Sequence, residues 1–198
     1  MSYYPKIVEQ LIGRLKRFPG IGQKSAERIA GWLMEEPQED VLALAENLRV
    51  LKESVRLCPV CFNLTETDLC DICRETGRRR TICVVEEVRD LIVMEKTGYH
   101  GFYHVLGGRI SITEHLRADD LRIPQLIQRL QEGSFEEVII ATNPTPEGED
   151  TAVHLSSLLK QSGIPHSRLA YGLPVGAEIE YVDTATLKKS MEGRKTLS

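Results

Sequence analysis

The sequence predicts an α/β protein built in four consecutive parts: a helical domain over residues 1–54, a small four-cysteine module over 55–80, an α/β domain with a mostly parallel sheet over 81–175, and a short C-terminal segment over 176–198. Three observations predict it. Apolar residues recur at helical spacing through the N-terminal region, the next stretch loses all periodicity and carries paired cysteines, and from Thr81 onward β-branched runs alternate with helical patterns. Strands separated by helices imply parallel pairing with helices on the sheet faces. A chain of 198 residues that is 41% hydrophobic and 27% charged has enough apolar material for a sizeable core. No apolar run nears the roughly 18 residues of a membrane span. The start, Met1-Ser2-Tyr3-Tyr4-Pro5-Lys6, has no signal-peptide apolar region, so the expected location is cytoplasmic.

Ile7, Val8, Leu11, Ile12 and Leu15 form the stripe of a first helix, which Phe18 continues before Pro19-Gly20-Ile21-Gly22 breaks it. Ser25 to Met34 resume a helical pattern. A third helix is expected from about Glu39 to Val55, with Val41, Leu44, Ala45, Leu48 and Leu51 along one face. Beyond the cysteines, Thr81-Ile82-Cys83-Val84-Val85 reads as a strand and Glu87 to Lys96 as a helix stopped at Gly98. His104-Val105-Leu106 is a short strand ending at Gly107-Gly108. Pro124 opens a helix that Gly133 ends, and Val138-Ile139-Ile140-Ala141 is the next strand. Glu149 to Lys160 is the following helix, and Ser167 to Tyr171 a further strand.

Cys58-Pro59-Val60-Cys61 and Cys70-Asp71-Ile72-Cys73 give a C-x2-C-x8-C-x2-C pattern. Two residues between ligands let a tight turn aim both sulfurs at one tetrahedral Zn²⁺, and four protein thiolates leave no open position for water. The site is therefore structural, one zinc per chain, and supplies the stability that so short a segment cannot obtain from burial. Disulfides and a redox C-x-x-C are the rival readings; a cytoplasmic chain disfavours the first, and two closely spaced pairs favour zinc over the second. Cys83, inside an apolar strand, is a core residue.

Phe18-Pro19-Gly20-Ile21-Gly22-Gln23-Lys24-Ser25-Ala26-Glu27-Arg28 places two glycines between helices and is similar to the helix-hairpin-helix motif of nonspecific DNA-binding proteins. Glycines let backbone N–H groups approach a phosphate, the next helix N-terminus adds partial positive charge, and Lys24 and Arg28 project one turn apart. With Lys16, Arg17, Gly20 and Gly22 they are the candidate DNA contacts, which position without reading sequence. A plain turn is the bland alternative. The net charge of −4 argues against nonspecific nucleic-acid binding by the chain as a whole, so the patch must act locally. Arg78 to Arg80 form a second cationic cluster, for which solvated surface is the simple reading.

Ile139-Ile140-Ala141-Thr142-Asn143-Pro144-Thr145-Pro146-Glu147-Gly148-Glu149 reads as a buried strand delivering a loop at its carboxyl end, where open α/β sheets place their sites. It resembles the D-P-D-x-E-G-E signature of toprim domains, with Glu86 in Val84-Val85-Glu86-Glu87 at the position of their conserved glutamate. Asn143 and Thr145 stand where the two metal-binding aspartates belong. An amide and a hydroxyl supply no charge for Mg²⁺, so the expectation is a toprim scaffold whose catalytic metal site is dismantled. The simple reading of Glu147 and Glu149 is charge that favours a helix N-terminus. The five histidines show no ligand spacing, and neither Gly107-Gly108-Arg109 nor Gly172-Leu173-Pro174-Val175-Gly176 matches a P-loop.

Taken in order, hairpin, zinc module, altered toprim domain and C-terminal segment resemble the RecR family of bacterial recombination mediators over nearly the whole chain. The carrying stretches are 18–30, the four cysteines, Tyr103-His104-Val105-Leu106-Gly107-Gly108, residues 141–149 and residues 171–183. Ser111-Ile112-Thr113-Glu114-His115-Leu116 departs from the family's Pro- and Gly-containing loop. The resemblance implies a non-enzymatic role in DNA repair: binding single- and double-stranded DNA, and working with RecO or RecF to load the RecA recombinase onto single-stranded DNA. It also implies a ring-like homo-tetramer with the hairpins facing the hole, the C-terminal segment as an oligomer contact, and a toprim acidic face (Glu86, Glu147, Glu149) that docks partners. The rival function is a metal-dependent toprim nuclease or primase-like enzyme.

Overall fold

The computed structural model describes residues 3–194 and Thr196; residues 1, 2, 195, 197 and 198 of the predicted end segments lie outside the described residues. The chain divides into two compact units, residues 1–55 and 56–198.

The first unit is helical, with α1 at Lys6–Leu15, α2 at Gln23–Glu35 and α3 at Gln38–Ser54. Its core is small: Ile12 of α1 packs on Ala26 and Ala30 of α2, with Val8, Leu11, Leu15 and Ile21 around them. The two alanines let the helices approach closely. The third helix forms as expected, opened by Glu39 and Asp40 in its first turn and braced by Arg49, which bridges Glu46 and Glu53. None of its residues is buried, however, and Leu44, Leu48 and Leu51 of the predicted apolar face are exposed. Amphipathic periodicity forecast the helix correctly, but its apolar face is left exposed among the described residues.

The second unit opens with the cysteine module. Strands β1 (Arg56–Leu57) and β2 (Leu64–Thr65) pair antiparallel around the first cysteine pair, and the one-turn helix α4 (Asp71–Arg74) carries the second. A four-stranded sheet follows, of β3 (Thr81–Val85), β4 (Phe102–Val105), β5 (Glu137–Ile140) and β6 (His166–Arg168), all parallel, in the order β4-β3-β5-β6. Helices α5 (Val88–Glu95), α6 (Ile123–Glu132) and α7 (Pro146–Gln161) are the crossovers. Burial on both faces explains why β3 is an unbroken apolar run. Ile82 and Val84 face Leu126, Leu130, Leu155 and Leu159 of α6 and α7. Cys83 and Val85 face Leu91 of α5, Tyr103, and the cysteine module. After β3 the chain first adds β4 on one side and then returns to place β5 on the other. That reversal creates a crevice at the carboxyl ends of β3 and β5.

One helix escaped the sequence reading. α8 (Thr184–Glu192) is capped by Asp183, whose carboxylate accepts from the Thr186 N–H at 2.9 Å and its hydroxyl at 2.7 Å. Its packing is polar: Lys189 lies 3.9 Å from the centre of the Tyr171 ring and pairs with Glu149 of α7 at 3.2 Å. Too little apolar periodicity remains to betray it.

Candidate nucleic-acid interface and metal sites

In the first unit the turn between α1 and α2 has the geometry that the glycine spacing predicts. Gly20 takes φ +77°, a left-handed conformation that a side chain would strain, and a Cβ placed there would meet nothing within 4 Å. The glycine therefore answers to backbone shape and leaves the turn open to an outside group. Gly22 is extended and caps α2. Lys16, Arg17, Lys24 and Arg28 are all exposed around this turn. Among the described residues none of the four forms an ion pair, while the nearby Glu27 carboxylate is occupied by the Gln23 side-chain amide at 2.6 Å. Elsewhere arginines are matched: Arg49, Arg78, Arg89, Arg109 and Arg168 each hold a carboxylate.

Cys58, Cys61 and Cys70 are buried and Cys73 is half-buried; their four sulfurs all lie within 4.8 Å of one another. A tetrahedral zinc with bonds of about 2.3 Å separates its sulfurs by about 3.8 Å, so the four ligands fit one ion with small adjustments. Their mutual hydrogen bonds push the Cys61 thiol far up and the Cys70 thiol far down, the largest influence on each being the other. A cluster that already favours a thiolate among shared protons is one in which a dication replaces protons readily. Cys83 lies outside this group, buried in β3, where desolvation pushes its thiol up to about 12. The module is fastened to the sheet: the Cys61 carbonyl accepts from the Val105 N–H at 2.9 Å, and the Phe62 ring meets His104 edge-on at 5.3 Å and lies 4.9 Å from the Arg122 guanidinium.

Of the second cationic cluster, Arg78 is not solvated surface. Its side chain is 4% exposed and forks onto Glu75, Glu95 and the Gly101 carbonyl, while Arg80 donates to the Ser134 carbonyl. Strand entry buries the first of three identical residues, which no composition argument could single out.

At the crevice between β3 and β5 stand Glu86, Arg89, Asp90, Arg109, Asn143 and Thr145, around a pocket of about 350 Å³. Glu86 is 2% exposed. The Asn143 backbone N–H donates to its Oε1 and the Asn143 side-chain amide to its Oε2, both at 2.8 Å. The two carboxylate oxygens are thus held by the residue that replaces a metal-binding aspartate. Thr145 has also become structural, because it caps α7 by accepting from the Gly148 N–H at 3.1 Å. Gly148 must be glycine, because a Cβ would strike the Asn143 carbonyl and come within 2.9 Å of Glu86 Oε1.

Burial removes Glu86 from the predicted acidic docking face: a carboxylate closed off by Asn143 has no surface to offer a partner. Glu147 and Glu149 are half-buried in the first turn of α7, as the helix-dipole reading expects. Glu149 is committed within the chain, to Arg168 at 2.6 Å and to Lys189. Arg89, Asp90 and Arg109 were missed as pocket residues; only Gly107-Gly108-Arg109, which falls after a strand, carried a signal.

Comparison with known proteins accounts for every part. Residues 8–51 match the family described as RecR, helix-hairpin-helix, and residues 55–74 the four-cysteine zinc finger domain of RecR. Residues 80–170 match the toprim domain and 172–195 the RecR C-terminal family. The chain is 49% identical to Recombination protein RecR of Pelotomaculum thermopropionicum, over all of both chains. It is 48% identical to that of Dehalococcoides mccartyi, across 95% of this chain and 93% of the relative. For Carboxydothermus hydrogenoformans the figures are 47%, 98% and 99%. Four cysteines set for one zinc, a glycine hairpin between helices, and a toprim crevice whose metal ligands have become an amide and a helix cap thus occur in a chain that belongs to the RecR family of recombination proteins.

Proposed function

We propose that this chain is a DNA-binding recombination mediator that grips the sugar–phosphate backbone of single- or double-stranded DNA through Lys16, Arg17, Gly20, Gly22, Lys24 and Arg28. The observation that carries the reading is a set of four exposed cations around an open glycine turn, none paired with a carboxylate among the described residues, in a chain of net charge −4. Unmatched cations at a helix N-terminus are what a phosphate requires. Family membership supports the finer role: acting with RecO or RecF in the cytoplasm to load RecA onto single-stranded DNA, without catalysis of its own. The division of labour follows the predicted parts, with residues 1–54 for DNA, 55–80 for the structural zinc, 81–175 for partner docking near Glu147 and Glu149, and 176–198 for oligomer contact. A tetrameric ring is supported by apolar surface that the single chain leaves uncovered, on α3 and at Val175, Ile179 and Tyr181.

Replacing Lys24 and Arg28 together with alanine should abolish DNA binding in a low-salt gel shift while helicity and light-scattering mass stay unchanged. Undiminished affinity would defeat the proposal. A metal-dependent enzyme is the alternative outcome: Mg²⁺-dependent cleavage or synthesis that disappears in Glu86→Ala would replace this reading with that one.

A further inference from the structure

The outer face of α2 carries a feature that the phosphate grip does not use. Trp32, the single tryptophan of the chain, is 55% exposed although its helix is well formed and buries Ala26 and Ala30 elsewhere. It lines an open groove of about 620 Å³ with Ser25, Arg28, Ile29, Gly31 and Glu35. Arg28 precedes Trp32 by four residues, one helical turn, which places its exposed side chain on the same helix face as the indole. Glu35 closes the opposite end, so an anionic ligand enters with its charge toward Arg28. Gly31 stands beside the ring in mid-helix, where glycine is among the poorest helix formers. A Cβ at this position would meet nothing within 4 Å, so packing does not demand the glycine. Lining the groove without a side chain, it leaves that wall of the groove open.

A wet aromatic face with open space beside it and a cation one turn away suits a nucleobase and its adjoining phosphate. Bases of a duplex are stacked on each other and cannot use it; those of a single strand can. We propose that Trp32 is a base-stacking platform which, next to Arg28, gives the helical unit a preference for single-stranded over double-stranded DNA. This rests on the hairpin being the DNA grip, and adds to it the residue that distinguishes the two forms.

Because Trp32 is the only tryptophan, its emission reports this groove alone. The test titrates the full-length, zinc-loaded protein at low salt with oligo(dT) and with a duplex of equal length. Oligo(dT) should quench the tryptophan and the duplex should not. Trp32→Ala, followed by gel shift, should weaken single-strand binding on the order of tenfold and leave duplex binding as it was. Gly31→Leu, which puts a side chain into the groove while favouring the helix, should produce the same selective loss with undiminished circular dichroism. Absence of quenching, or equal loss on both DNA forms in Trp32→Ala, overturns the stacking role. If Lys24→Ala with Arg28→Ala still abolishes binding, only the platform is wrong; if that double variant binds like the parent, the grip itself fails. Emission already shielded without DNA, together with a lower light-scattering mass in Trp32→Ala, would assign the groove to a second copy of this chain and likewise refute the proposal.

Discussion

Converting Asn143 to aspartate tests whether its amide is what satisfies the buried Glu86 carboxyl group. In the parent chain the side-chain N–H donates to Glu86 Oε2 at 2.8 Å, with Glu86 only 2% exposed. Asn143→Asp changes no volume, but it deletes a hydrogen bond to a charged group, worth about 1.5–3 kcal/mol, and puts a second carboxylate at contact. At an effective dielectric constant near 20, like charges about 4 Å apart repel by about 4 kcal/mol, an upper bound because side-chain adjustment and solvent screen the pair. The net loss should be about 3 kcal/mol, or about 1 M in the urea midpoint at neutral pH. Asn143→Ala separates the two contributions: it removes the donor without adding charge and should cost about 2 kcal/mol. Unfolding is followed by circular dichroism in zinc-saturated buffer free of magnesium, then repeated with Mg²⁺, which should recover part of the loss in Asn143→Asp and none in Asn143→Ala. An aspartate variant as stable as the parent without Mg²⁺ would refute the argument that the amide holds this pocket together.

Other consequences are quickly checked. Arg78→Met strips Glu95 and the Gly101 carbonyl of a buried cation and should destabilise by about 3 kcal/mol in the same assay, with Arg78→Lys restoring only part because an ammonium cannot fork onto three acceptors. Thr145→Ala should cost about 1 kcal/mol through the lost cap of α7, whereas Thr145→Ser should be nearly silent because serine caps equally well. His115 holds φ +54°, so His115→Gly should stabilise by about 1 kcal/mol and raise the thermal midpoint by a few degrees. Burial lowers the His104 imidazole from 6.5 to about 4, so the unfolded chain takes up the proton first as pH falls. Stability from this group is complete above about pH 6.5 and drops by about 3 kcal/mol on the way to pH 4; His104→Gln should flatten that part of the acid-unfolding curve.

Features written in local spacing were legible in the sequence. The C-x2-C pairs, the two glycines between helical stripes, and β-branched runs alternating with helix patterns are each set by short-range geometry, and each stands where expected. What escaped was long-range. Asn143 meets Glu86 across 57 positions, and the replaced aspartates announced only that a metal site was lost. That the substitute amide would close the glutamate off, and the substitute hydroxyl would cap a helix, follows from the strand order β4-β3-β5-β6, which pattern alone does not give. Glu149 likewise meets Lys189 across 40 positions, through a helix whose contacts are polar. Arg78 parts company with its neighbours because, in the segment leading into β3, its side chain turns inward onto Glu75, Glu95 and the Gly101 carbonyl while Arg79 and Arg80 stay exposed.

In the proposed role, the charge distribution favours oligomerisation. Each phosphate contact contributes about 0.7–0.9 to the salt slope, so four unpaired cations per chain give a slope of only about −3 and correspondingly weak attachment at ordinary ionic strength. Repeating the patch by assembly strengthens attachment, since linked copies add their contacts without new ones being built. Uncovered apolar surface on α3 and around Val175 to Tyr181 is where a lone chain has most to gain from such assembly. The salt slope measured for the intact protein should therefore be the single-chain value multiplied by the number of hairpins that touch one DNA strand, and a slope near −3 would mean that only one does.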